Sequence, residues 1–121
     1  MSEPTVRQPG EGENHERSDG YRRILVSTDH ISAIEIGFDE SLVVDPHTHP
    51  DHTDSFWVLE GEVVFTAGDE EVVLGPGGFI SSPPNARHGF RSAGGFARVL
   101  NLHTPDGGFA GTIRKTTAEA S

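Results

Sequence analysis

Cysteine is absent from this 121-residue chain. That excludes disulfides, thiolate metal sites and a cysteine nucleophile. Positive charge is nearly as scarce through the middle of the chain. From Ile24 to Ala86 there are twelve Asp or Glu and no Lys or Arg. A nucleic acid would be repelled there, and a phosphate would find no counter-charge, so no nucleic-acid partner is expected. Apolar runs are short. None approaches the roughly 20 residues that cross a bilayer, and the polar N-terminus carries no signal-peptide core. A cytoplasmic protein without membrane contact is the expectation. The formal net charge of −10 would welcome a cation.

What the chain does have is turn residues. Fifteen Gly and eight Pro in a sequence only 33% hydrophobic argue for short strands and tight turns. The apolar period is two: Ile34, Ile36 and Phe38 alternate with Glu35 and Gly37, and similar short runs recur every 6 to 12 residues. Glu62–Thr66 and Glu71–Leu74 flank a hairpin tip at Gly68-Asp69. Strands are expected at 24–27, 34–38, 42–44, 55–60, 62–66, 71–74, 79–82, 88–91, 96–103 and 109–113, and no helix of ten residues. This is the pattern of an all-β sandwich or barrel. Residues 1–20 are too polar to bury much surface and are expected to form a mobile arm, residues 21–116 the barrel, and 117–121 a frayed end.

The seven histidines are unevenly placed. Three fall in PHTHPDHTD, at His47, His49 and His52. On a strand, residues two apart share a face, so His47 and His49 can converge on one point while Thr48 faces away. Asp54 opens the next apolar strand, with Phe56 and Val58 on its inward face and Ser55 and Trp57 facing out. His88 follows the turn PPNAR. Three imidazoles and a carboxylate form a site for one divalent transition metal: Fe, Mn, Ni, Co, Cu or Zn. His52 sits in a turn, either at the rim or facing substrate as an acid–base group. His103 shares a face with Asn101, as a pocket residue or as a strand-end histidine bonded to backbone. Arg87 and Arg91 flank His88, to meet a substrate carboxylate or to balance the acidic surface.

These residues resemble a known family. In HTHPDHTDSFWVLEG, His47 and His49 form an HxH pair, four residues precede Asp54, and six more precede Gly61. This resembles the first cupin motif. In GGFISSPPNARHGFRS, Gly77, Pro83, Asn85, His88 and Ser92 fall at the spacing of the second, 15 residues on. The resemblance implies a double-stranded β-helix, the jelly-roll barrel of a small single-domain cupin. It also implies one metal on the equivalents of His47, His49 and His88, with Asp54 where the family carries its Glu ligand. Asp is one methylene shorter, so Asp54 ligates directly, acts through a water, or serves as a base. Asn85 replaces a Gly, which Asn tolerates because it accepts left-handed backbone angles.

The resemblance spans several activities. The first expectation is a metal-dependent oxygenase acting on a small enol, diketone or catechol-like molecule, with Asp54 and His52 handling protons. The alternatives are a redox-neutral isomerase or cyclase and a non-catalytic ligand-binding or sensing domain. A homodimer is expected, because small barrels tend to cover their exposed edges.

Overall fold

Alternating burial along each segment builds two antiparallel sheets facing one another. The computed structural model describes residues 3–120. In chain order the strands are β1 (Glu13–Arg17), β2 (Gly20–Ser27), β3 (Ser32–Phe38), β4 (Val43–His47), β5 (Thr53–Glu60), β6 (Val63–Ala67), β7 (Glu70–Leu74), β8 (Phe79–Ser82), β9 (His88–Ser92) and β10 (Ala97–Thr104). A helix, α1 (Phe109–Ala120), follows. One sheet runs β1-β2-β3-β10-β5-β8 and the other β4-β9-β6-β7. The all-β jelly-roll architecture expected from the sequence is therefore present, and among the described residues no helix is long and apolar enough to cross a membrane.

The core lies between the sheets. Ile34, Ile36 and Phe38 of β3, Val58 of β5 and Val99 of β10 are nearly inaccessible, and Val63 and Phe65 of β6 meet them from the other side. Phe56 and Phe90 join across the gap with ring centroids 5.0 Å apart, and Phe38 meets Phe90 edge-on at 5.3 Å. Burying each such ring contributes about 1.5–3 kcal/mol. At the other end of the same interior the lining turns polar, and the functional groups gather there. Trp57 faces out as expected, but Ser55 is buried, because its hydroxyl donates to Ser81 Oγ on β8 at 2.9 Å.

Two segments also differ from expectation, and with the first falls the expected absence of a helix of ten residues, since α1 has 12. Residues 109–113 are the start of α1, not a strand. Phe109, Ala110 and Ile113 have helical spacing, and Ala110 and Ile113 are buried. Asp106 accepts from the Gly108 N–H at 3.0 Å beside the first turn, and the Gly108 carbonyl accepts from Thr112 N–H at 3.1 Å. That local capping outweighs the low helix propensity of Gly111 and the threonines. Residues 13–17, expected in the arm, form an edge strand paired with β2. Their hold is polar rather than apolar. Arg17 donates to the Ile113 carbonyl at 2.9 Å, Arg114 to Glu13 at 2.8 Å, and His15 Nδ1 lies 2.8 Å from Thr117 Oγ1. Nearer the N-terminus, Arg7 bonds the Leu25 carbonyl at 3.0 Å. Met1, Ser2 and Ser121 lie outside the described residues.

Candidate metal centre

The site is built where β4, the β4–β5 turn, β5, β9 and β10 meet. His47 ends β4 and His88 begins β9, and the two are register partners across that antiparallel pair. Their rings stand 4.4 Å apart. Gly89 makes this possible: a Cβ there would lie 2.6 Å from the Val44 carbonyl oxygen, so β4 and β9 approach closely only with glycine. The chain reaches His88 through Asn85, whose φ of 70° is the left-handed angle anticipated for that turn. Asn85 N–H donates to the His49 carbonyl at 2.8 Å, tying the two histidine segments together.

Each ring is oriented by its own backbone. His47 Nδ1 lies 2.9 Å from the Asp45 carbonyl, and His88 Nδ1 lies 2.9 Å from the Ala86 carbonyl. A carbonyl only accepts, so both Nδ1 atoms carry protons and both Nε2 lone pairs are left for a ligand. His88 Nε2 is buried without a hydrogen-bond partner. One nitrogen each from His47, His49 and His88 fall within 4.8 Å of one another. Nitrogens bound at about 2.1 Å to one ion spread over a similar span, up to about 4.2 Å. These residues fit a divalent transition metal.

Asp54 stands at the inner edge of this group. Its Oδ2 is 3.2 Å from His88 Nε2 and 3.4 Å from His49 Nε2. Neighbouring donors around an ion with bonds of about 2.1 Å sit about 3.0–3.4 Å apart, so the shorter acid still reaches ligand spacing. Its Oδ1 accepts from Asn101 Nδ2 at 2.6 Å and faces His103 Nε2 at 3.4 Å. Burial pushes the Asp54 carboxyl up. The facing His103 and His88 imidazoles and the Asn101 hydrogen bond outweigh it and hold the group well below the usual carboxylate range. His88 is raised by its bond to Asp54, against the opposing effect of burial. His49 is lowered, first by burial and then by the neighbouring His52 and His88.

His52 turns inward. It is buried and stacked on His49 at 3.7 Å, with Nδ1 2.7 Å from Asp51 Oδ1. Its other face meets Gly107, where a Cβ would fall 2.4 Å from the ring. His103, on β10 opposite Asp54 in register, stacks on Phe109 at 5.5 Å. Four of the seven histidines thus pack around one carboxylate, and His47 stands beside His88. Arg87 and Arg91 do not reach the site: the first donates to the Gly68 carbonyl and the second pairs with Glu71. A cation arrives from elsewhere, since Arg22 of β2 lines the cavity, buried and paired with Asp19 at 2.9 Å. No local pattern announces Arg22; only the placement of β2 beside β3 does so.

The cavity outside these groups holds about 560 Å³. Ile36, Leu42, Val44, Phe56 and Phe90 form its apolar wall. The volume suits a small organic molecule.

A barrel of this topology with a histidine cluster at its mouth is the architecture of the cupins, and residues 36–103 match the cupin domain family. The chain belongs to that family. Among curated proteins it is similar to quercetin 2,3-dioxygenase of Bacillus subtilis (strain 168), 28% identical over 107 residues. The match takes in 84% of this chain and 32% of that protein, so the chain spans about a third of the relative's length. Among solved structures it is similar to KdgF from a Halomonas species, at 27% identity and a TM-score of 0.67, covering 71% of this chain and 78% of the other. An RmlC-like cupin from Shewanella frigidimarina superposes with a TM-score of 0.75 at 23% identity, over 87% and 94% of the two chains. That likeness concerns the fold.

Proposed function

We propose that this cupin is a metal-dependent oxygenase acting on a small organic molecule with two neighbouring oxygens, such as an enol, a diketone or a catechol. The observation that carries it is the convergence of His47, His49 and His88, with Asp54 beside His49 and His88, at the polar end of an otherwise apolar cavity. The likeness to quercetin 2,3-dioxygenase supports the same reading.

His47, His49 and His88 would hold the ion, with Asp54 as a fourth ligand. When bound, a redox-active divalent ion supplies charge to stabilise an enolate and a centre for oxygen chemistry. The rest is done by the chain. The aliphatic and phenylalanine walls exclude water and fix the flat part of the substrate. Asp54 accepts a substrate proton if it is not itself bound to the ion. His52, steadied by Asp51, offers a second proton-carrying nitrogen in the cavity. A redox-neutral isomerisation draws on the same proton-handling groups and needs no oxygen.

The test is metal analysis of purified protein with oxygen uptake measured over flavonol, diketone and catechol substrates. Iron, manganese, nickel or copper with substrate-dependent uptake supports the oxygenase. Zinc with turnover but no uptake replaces it with the isomerase, and binding without turnover replaces both with a ligand-binding domain.

The reading includes a homodimer. Trp57 and Phe79 are register partners on the outer face of β5 and β8, half exposed, with rings 6.4 Å apart and Leu59 nearby. Sedimentation of the wild type as a dimer and of Trp57→Glu as a monomer is the expected outcome. A monomeric wild type would remove this part.

A further inference from the structure

The three-histidine centre leaves part of the cluster unexplained. His52, His103 and Asp54 each offer one donor atom within 4.8 Å of the other two, and all three residues are buried. His52 is 5% exposed and His103 is 8% exposed. The His52 and His103 rings stand 4.4 Å apart. His52 Nε2 and His103 Nδ1 are both buried without a hydrogen-bond partner. Buried polar nitrogens are rarely left unpaired, because each costs about 1–3 kcal/mol. The His52 nitrogen, on a ring facing His103 beside a carboxylate, has no such partner among the described residues, while His103 turns Nε2, not Nδ1, to Asp54 Oδ1.

We propose that Asp54 bridges two metal ions, one on His47, His49 and His88, and a second on His52 and His103. The carboxylate is placed for it. Oδ2 faces His49 and His88 at 3.4 and 3.2 Å, and Oδ1 faces His103 at 3.4 Å. Asn101 takes one lone pair of Oδ1 at 2.6 Å, and the other faces His103 Nε2, where the second ion would sit between them. A carboxylate with one oxygen on each ion is a common bridge where two ions stand about 3.5–4 Å apart. Asp51, against His52 Nδ1 at 2.7 Å, orients that ring. Gly107 lets the ring lie where it does, since any Cβ would strike His52 Cε1 at 2.4 Å and Nε2 at 2.6 Å. The ion would be a borderline divalent cation such as Zn(II), Co(II) or Mn(II), given two imidazoles and one carboxylate oxygen. It takes the His52 nitrogen that otherwise carries protons, so the two roles are alternatives for one atom.

This rests on the first centre being a metal site, and metal counting separates the two. The full chain is stripped by chelation, titrated with Co(II) and with Mn(II), and the bound metal is measured after removal of excess. Two equivalents are expected for the wild type and one for His103→Gln, with folding checked by circular dichroism. Gly107→Ala, which alters no ligand, is the second variant and is also expected to bind one. The Mn(II)-loaded wild type should give an exchange-broadened resonance spectrum, and His103→Gln an isolated-ion spectrum. One equivalent in the wild type overturns the bridge and leaves the first centre standing. Two equivalents in both His103→Gln and Gly107→Ala place the extra ion elsewhere and overturn it as well. No bound metal in the wild type overturns the bridge and the first centre together.

Discussion

At the scale of single residues, the orientation of His47 and His88 matters more than their identity. Each ring donates Nδ1–H to a carbonyl two residues upstream, which leaves Nε2 pointing at the centre. His88→Ala removes a buried imidazole, the proposed ligand, and its bond to Ala86. Loss of the first-centre metal is expected, read as metal per chain after dialysis; unchanged content would contradict the assignment. The metal-free protein has its own signature. His88 is raised above its ordinary value of 6.5 and His49 is lowered below it. Protonated His88 paired with Asp54 stabilises the metal-free fold fully below about pH 6.5, and that contribution is lost as pH rises through the raised value. His49 works in the opposite sense: its contribution is intact above about pH 6.5 and is lost as pH falls through its lowered value. Ring-resonance NMR of chelated protein should find His88 titrating at higher pH than His49, and the reverse order would refute the contact pattern. The candidates His47, His49, Asp54 and His88 were readable because three strand ends and one turn carry them at fixed spacing. His103, Asn101 and Arg22 were less so, since their arrival depends on which strands become neighbours, and pairing leaves no local mark.

At the scale of elements, the β4–β9 contact sets the separation of the two rings that close the centre. Gly89→Ala would force a methyl to 2.6 Å from the Val44 carbonyl and 2.9 Å from Pro46 N. β4 has to move away from β9, carrying His47 with it. A metal affinity lower by tenfold or more is expected with every ligand intact, measured by competition with a chelating dye; wild-type affinity would show the strand contact to be slack. Strands from β2 to β10 were foreseeable because alternation and turn residues bound them. α1 was not, because its buried residues span little more than one turn and a strand start looks the same over that length. β1 was missed for a different reason. It has almost no apolar content, and its hold comes from arginine and histidine contacts to a helix about a hundred positions later.

At the scale of the whole molecule, the acidic middle of the chain and the imidazole cluster favour the metal-loaded fold. A metal that binds only the folded chain stabilises it by about 2.7 kcal/mol when free metal is a hundredfold above Kd. At roughly 4 °C per kcal/mol for a domain of this size, chelation should lower Tm by about 10 °C. Scanning calorimetry with and without EDTA checks this, and an unchanged Tm would mean that the fold owes nothing to the ion. The effect should fade on acidification through about pH 6.5, where free imidazoles protonate.

The place of β10 has a consequence during synthesis. It lies between β3 and β5, which precede it by dozens of positions and do not pair with each other. Until Ala97 and its successors leave the ribosome, a nascent chain holds two raw strand borders and an open polar pocket short of His103. Ions therefore meet the finished cluster only after the last strand has slid into the gap. A stalled chain is the form most prone to cross-pair with its neighbours on a polysome.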